Sequence, residues 1–171
     1  MKRKTRHLVH AAIIAALYVV LTHMQNIIIP DSATWAIQFR ASEALCVLAL
    51  FTPAAIPGLS LGCLLFNITY AQALPLDFLL GTIATALAAL FMWKSRNLTV
   101  KSYPVFAFLM PALWNALIVG WELSVYIGGA FLLNAALVAV GELAVLFTLG
   151  TALYYAMKAR RLDSRLFGNG K

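Results

Sequence analysis

The sequence predicts an all-α fold, an integral membrane bundle of six transmembrane helices forming one domain over residues 1–171. Composition is the first reason. Of the 171 residues, 63% are hydrophobic and 11% charged, and mean hydropathy is +0.87. A soluble domain has roughly 45–50% apolar and 25% charged residues, so the excess apolar surface must face lipid. The second reason is segmentation into apolar runs near the length of about 20 residues that a bilayer demands. The third is the placement of basic residues between those runs.

The first run extends from Leu8 to about Ile29 and is closed by Pro30-Asp31-Ser32. Basic residues precede it, as in a signal peptide. It is too long for one and no small-x-small cleavage site follows, so it reads as a retained first helix. The second run, Gln38 to Thr52, is short and carries Arg40 and Glu43. Pro53 and Pro57-Gly58 force a turn, because proline cannot continue a helix. The third run goes from Gly58 to Ala71, the fourth from after Pro75 to Trp93, the fifth from Pro104 to Trp121, and the sixth from Gly129 to Met157. The second and third are short for full spans and would tilt or thin the bilayer; a re-entrant pair is the alternative and leaves both tails on the same side.

Charge sets the orientation. The net charge is +7 and the pI about 9.7, which in a soluble protein would suggest nucleic acid. Here every lysine and arginine except Arg40 falls in the N-tail (1–7), the 94–102 loop or the C-tail (158–171). Cytoplasmic loops carry that excess, so both termini are expected in the cytoplasm and the chain in the cell membrane. Cys46 and Cys63 lie inside apolar runs and read as reduced, buried side chains.

Charged side chains within spans are costly and are by default functional candidates. Glu142 lies about 24 Å above the inner boundary and Asn115 about 17 Å, at 1.5 Å per helical residue. Asn67, Asp77, Arg40 and Glu43 also fall toward the outer side. Polar groups from five runs thus gather in the outer half, and an outward-opening pocket is the simplest explanation. Structural roles compete at each position. Glu142 could be a hydrogen-bonded carboxyl, Arg40 and Glu43 an ion pair along one helix, Asn67 and Asp77 caps or loop anchors. Glu122, on one face with Asn115, could be solvated at the rim. Trp35 and Trp114 could stack on a flat ring or anchor at the interface.

Ala11, Ala12, Ala15 and Ala16 make overlapping small-x-x-x-small pairs suited to close helix approach, either within the chain or against another membrane protein. Gly58 and Gly62 form a weaker pair. His7, His10 and His23 do not form one metal site. The chain has no phosphate-binding loop with Lys-Ser/Thr and no His-Glu-x-x-His. Neither a metal nor a cofactor is therefore expected, and ATP hydrolysis would have to come from a partner.

The stretches Gln38-Phe39-Arg40-Ala41-Ser42-Glu43-Ala44-Leu45, Phe51-Thr52-Pro53-Ala54-Ala55-Ile56-Pro57-Gly58, Gly62-Cys63-Leu64 with Asn67, Pro75-Leu76-Asp77 with Gly81-Thr82, Asn115-Ala116-Leu117-Ile118-Val119-Gly120 and Val140-Gly141-Glu142 together resemble the QueT family. The resemblance runs from about Ala11 to Gly150 and matches least over Ile29–Ile37. It implies an S-component-like bundle: the substrate-capturing subunit of an energy-coupling factor importer, taking a queuosine precursor of the 7-deazaguanine type. Its implied partners are one membrane T-component and two ATPases, with Ala11, Ala12, Ala15 and Ala16 as the docking motif. Substrate-binding candidates are Glu142, Asn115, Glu43, Arg40, Asn67, Asp77 and Trp114. Glu142 suits the adjacent N–H and NH₂ donors of a guanine-like edge, Asn115 its carbonyl, and Glu43 or Asp77 a cationic aminomethyl group. The residues leave three alternatives: an S-component for another vitamin-like cargo, a solitary transporter using Glu43, Asp77 or Glu142 as proton carrier, and a small intramembrane enzyme. The last lacks a nucleophile–base pair.

Overall fold

Local chemistry sets most of the helix boundaries in the computed structural model, which describes residues 3–30, 39–70 and 73–168. Helix α1 (Arg3–Ile28) ends just before Pro30. A 3-10 helix (Ala41–Leu50) follows, then α2 (Ala55–Thr69), α3 (Asp77–Ser95) and α4 (Val105–Tyr126). In α2, Pro57 falls in the first turn, where backbone N–H groups have no partner within the helix. The final long helix is α5 (Phe131–Val145), a π-helical turn (Leu146–Gly150) and α6 (Thr151–Ala159); a short α7 (Leu162–Phe167) closes the chain. No strand occurs among the described residues.

The all-α bundle matches the expectation, and its six apolar helical segments correspond to the six runs. Four of them, α1, α3, α4 and Phe131–Ala159, are long and apolar enough to cross a membrane; Ala41–Leu50 and Ala55–Thr69 are shorter. Only 22% of the most apolar window of α1 is buried by the rest of the chain. Ile13, Leu17, Val20 and Met24 are instead exposed. An apolar helix with so little internal cover needs lipid as its solvent.

The 3-10 helix is the centre of the architecture. Consecutive helices pack side by side, and the 3-10 helix touches all of α1 through α6. Eight of its ten residues are buried. At about 2.0 Å per residue it spans roughly 20 Å, where an α-helix of equal length would span about 15 Å. Its three-residue repeat puts Glu43, Cys46 and Ala49 on one line. Leu45, Leu48, Leu59, Phe66, Phe108 and Leu146 belong to the core cluster that surrounds it.

Glycines permit the closest approach. A Cβ on Gly58 would lie 2.8 Å from the Ala11 carbonyl oxygen, and one on Gly62 would lie 2.7 Å from Tyr18 Cβ. Helix α2 therefore rests directly on the α1 backbone. Between α4 and α5, Gly128 and Gly129 take φ of 94° and 89°, a region in which residues with a Cβ are strained. Asn134 Nδ2 then donates to the Gly128 carbonyl at 3.0 Å and holds the turn.

The structure departs from expectation at four places. Pro57 and Gly58 lie inside α2 rather than in a turn, because a proline in the first helical turn displaces no intrahelical hydrogen bond. Helix α4 runs on to Tyr126, past the predicted end at Trp121. The basic tail contains α7. The π-helical turn interrupts the last helix.

Candidate functional site

The polar interior begins on α1. Ala11, Ala15, Tyr18 and Thr22 are buried along one stripe. Tyr18 Oη donates to Glu43 Oε1 at 2.5 Å, and Cys46 Sγ donates to Glu43 Oε2 at 3.2 Å. Thr22 Oγ1 lies 2.7 Å from both the Tyr18 carbonyl and Ser42 Oγ. Gln25 clamps the entry to the 3-10 helix: its amide donates to the Phe39 carbonyl, and its Oε1 accepts from the Ala41 N–H at 2.6 Å. That satisfies a backbone donor the helix start would otherwise orphan.

A second cluster joins the 3-10 helix to α2 and α3. Arg40 Nη2 lies 3.5 Å from Asp77 Oδ2, and both side chains are 6% exposed. Among the described residues, the ion pair of Arg40 thus runs across to α3 rather than along its own helix to Glu43. Asn67 Nδ2 donates to the Asp77 carbonyl at 2.8 Å. Gly81 makes room for this: a Cβ there would lie 2.8 Å from Asp77 Oδ1 and 2.9 Å from Asn67 Nδ2. The Arg40 guanidinium sits 5.8 Å from the centroid of Phe66.

The third cluster joins α4 to α5. Asn115 Nδ2 donates to Glu142 Oε1 at 2.8 Å. The charged neighbours of Glu142 are Glu43 and Arg40; those of Glu122 are Asp77 and Arg40. Glu122 is fully buried, not solvated at a rim, because α4 continues past it. Trp114 is half-buried, and its ring centroid lies 5.0 Å from that of Phe91.

Taken as whole residues, backbone included, Arg40, Glu43, Asn67, Asp77, Asn115 and Glu142 are all 5% exposed or less. Several of their buried atoms have no hydrogen-bond partner among the described residues. These are Asn67 Oδ1, Asp77 Oδ1 and Glu142 Oε2; beyond the six, both carboxyl oxygens of Glu122, Trp114 Nε1 and the Oδ1 and Nδ2 of Asn26 on α1 are likewise unpartnered, so oxygens outnumber nitrogens six to two. Leaving such groups unmet costs about 1–3 kcal/mol each, more when charged. A set so rich in acceptors suits a cargo rich in N–H donors. Among the described residues no group of three or more His, Cys, Asp or Glu is arranged to hold a metal ion.

The alanine ladder divides. Ala11 and Ala15 pack against Gly58 and Gly62, whereas Ala12 and Ala16 lie exposed on the other side of α1. Trp35 lies outside the described residues. Sequence reasoning missed Tyr18, Thr22 and Ser42 and undervalued Glu122. The spacing of Ala11, Ala15, Tyr18 and Thr22 is the inward stripe of a helix and would have found the first two.

A family model described as QueT transporter matches residues 8–159. No curated protein and no solved structure matches the chain.

Proposed function

The chain belongs to the QueT transporter family, and from that premise we propose that it is the substrate-binding subunit of an energy-coupling factor importer for a 7-deazaguanine precursor of queuosine. Membrane transport of a small molecule is the family role; cargo and partners are the finer reading. The surplus of buried, unpartnered acceptors carries it. A guanine-like edge brings adjacent N–H and NH₂ donors, and a 7-aminomethyl group brings a cation.

Asn115 fixes Glu142 through Oε1 and leaves Oε2 to accept from the base. Asn115 is then a positioning residue, and Trp114 Nε1 is the donor open to the carbonyl of the base. Asp77 and Glu122 answer a cationic substituent, with Arg40 balancing their charge. Glu43, doubly bonded to Tyr18 and Cys46, holds the 3-10 helix against α1. Both termini lie in the cytoplasm, following the basic loops. A T-component with two ATPases docks on the exposed face of α1 at Ala12 and Ala16.

Titration of the purified protein with 7-aminomethyl-7-deazaguanine tests the cargo. Glu142→Gln is expected to weaken binding by about tenfold or more, the loss of a hydrogen bond to a charged acceptor. Unchanged affinity would remove Glu142 from the site. Co-purification with two ATPases supports the importer, while pH-driven uptake by the chain alone in liposomes would favour an ion-coupled carrier.

A further inference from the structure

The end of the bundle that carries both described termini holds a concavity, lined by none of the polar interior residues. One cavity of about 350 Å³ is lined by residues that include His7, Phe51, Trp93, Arg96 and Phe167. An adjoining cavity of about 180 Å³ adds Tyr154 and Lys158 and shares Leu50, Phe51 and Arg96 with it. No carboxylate lines either one.

Both cations are shelved on aromatic rings. The Arg96 guanidinium lies 3.6 Å from the Trp93 ring centroid, and its Nη1 donates to the Trp93 carbonyl at 2.6 Å. Lys158 Nζ lies 5.8 Å from the Phe51 centroid and 5.9 Å from that of Tyr154. The ion pair among the described residues is Arg40–Asp77, so neither Arg96 nor Lys158 has a carboxylate partner there. Stacking fixes a guanidinium while leaving in-plane donors available. Two such cations lining an acid-free cavity, with Trp93 and Tyr154 beside them, are complementary to a tetrahedral oxyanion. Basic pockets between helices on the cytoplasmic side recognise phosphorylated headgroups by the same chemistry.

We propose that Arg96 and Lys158 form a phosphate-binding site at this end of the bundle, filled by the headgroup of an anionic phospholipid or by free phosphate. The site binds an anion where the polar interior, rich in acceptors, binds donors. It therefore stands whether or not the cargo is a deazaguanine.

The test uses the full chain in detergent. Native mass spectrometry reads retention of phosphatidylglycerol against phosphatidylcholine, with and without millimolar inorganic phosphate. Phosphate alone is scored by thermal stabilisation. Each charge removed, in Arg96→Gln and Lys158→Gln, is expected to lower phosphatidylglycerol retention by about fivefold, with Lys101→Gln as the neutral control. Lys158 is exposed, so Lys158→Gln carries the test should Arg96→Gln fail to fold. Retention of phosphatidylglycerol that phosphate does not displace assigns the site to lipid. Stabilisation by phosphate alone, lost in the variants, assigns it to the free ion. Equal retention of both lipids together with no stabilisation by phosphate, or loss of neither signal on substitution, overturns the proposal.

Discussion

Gly62→Ala tests the contact on which the polar interior is built. The new Cβ would meet Tyr18 Cβ at 2.7 Å, the Ala15 carbonyl oxygen at 3.0 Å and Tyr18 Cγ at 3.0 Å. Carbon atoms prefer about 3.5–4.0 Å, and these neighbours are main chain or its first side-chain atoms, so α1 and α2 must separate by nearly 1 Å. Overpacking of this kind costs about 1–3 kcal/mol. Moving Tyr18 also breaks its bond to Glu43, a charge-assisted bond of about 1.5–3 kcal/mol. Alanine returns up to about 1 kcal/mol through helix propensity. The net expectation is a loss of about 3 kcal/mol, read by equilibrium unfolding in mixed detergent micelles. Gly150→Ala is the internal comparison. Its Cβ would meet Val47 Cγ2 at 3.2 Å and Phe108 Cε1 at 3.5 Å, side-chain atoms that can yield, so its cost should stay below about 1 kcal/mol. Equal stability of Gly62→Ala and wild type would refute the claim that the two backbones meet through Gly62.

Further expectations follow from the same geometry. Ala12→Leu and Ala16→Leu should leave folding and substrate titration unchanged yet abolish pull-down of the ATPase module, whereas Ala15→Leu should destabilise the fold; loss of folding in Ala12→Leu would contradict the division of the ladder. Gly81→Ala should crowd Asp77 and Asn67 and weaken substrate binding by about tenfold, with a smaller change in the unfolding midpoint; unchanged affinity would place Asp77 outside the site. Arg40→Gln removes the partner of a buried Asp77 and should cost about 3–5 kcal/mol, and Asp77→Asn in the same chain should recover part of it in a double-mutant cycle; strict additivity would deny the pairing.

The six apolar runs were legible because lipid imposes its demand directly on composition. The cavity lined by His7, Pro53, Arg96 and Phe167 brings together, at one end of the bundle, the three segments that the basic residues had grouped and the turn at Pro53. The helical form of Ala41–Leu50 was not legible. A segment buried on nearly every side has no polar face, so hydrophobic periodicity gives no sign of whether three or 3.6 residues complete a turn. Glu122 was misjudged because the fifth apolar run ends at Trp121, although the helix continues to Tyr126. The ladder of alanines was read as one surface because small residues fit both internal and external contacts. Tyr18 and Thr22, one and two turns further along, show which half turns inward.

The stretched central segment ties the two ends of the molecule together mechanically. Rewound as α-helix, its ten residues would shorten by about 5 Å and twist through about half a turn. Glu43 sits at one end of that axle and Leu50, in the wall of the Arg96 cavity, at the other. A change of pitch would draw the carboxylate away from Tyr18 or displace the aromatic floor beneath Lys158, so the two ends of the helix are joined by one shaft.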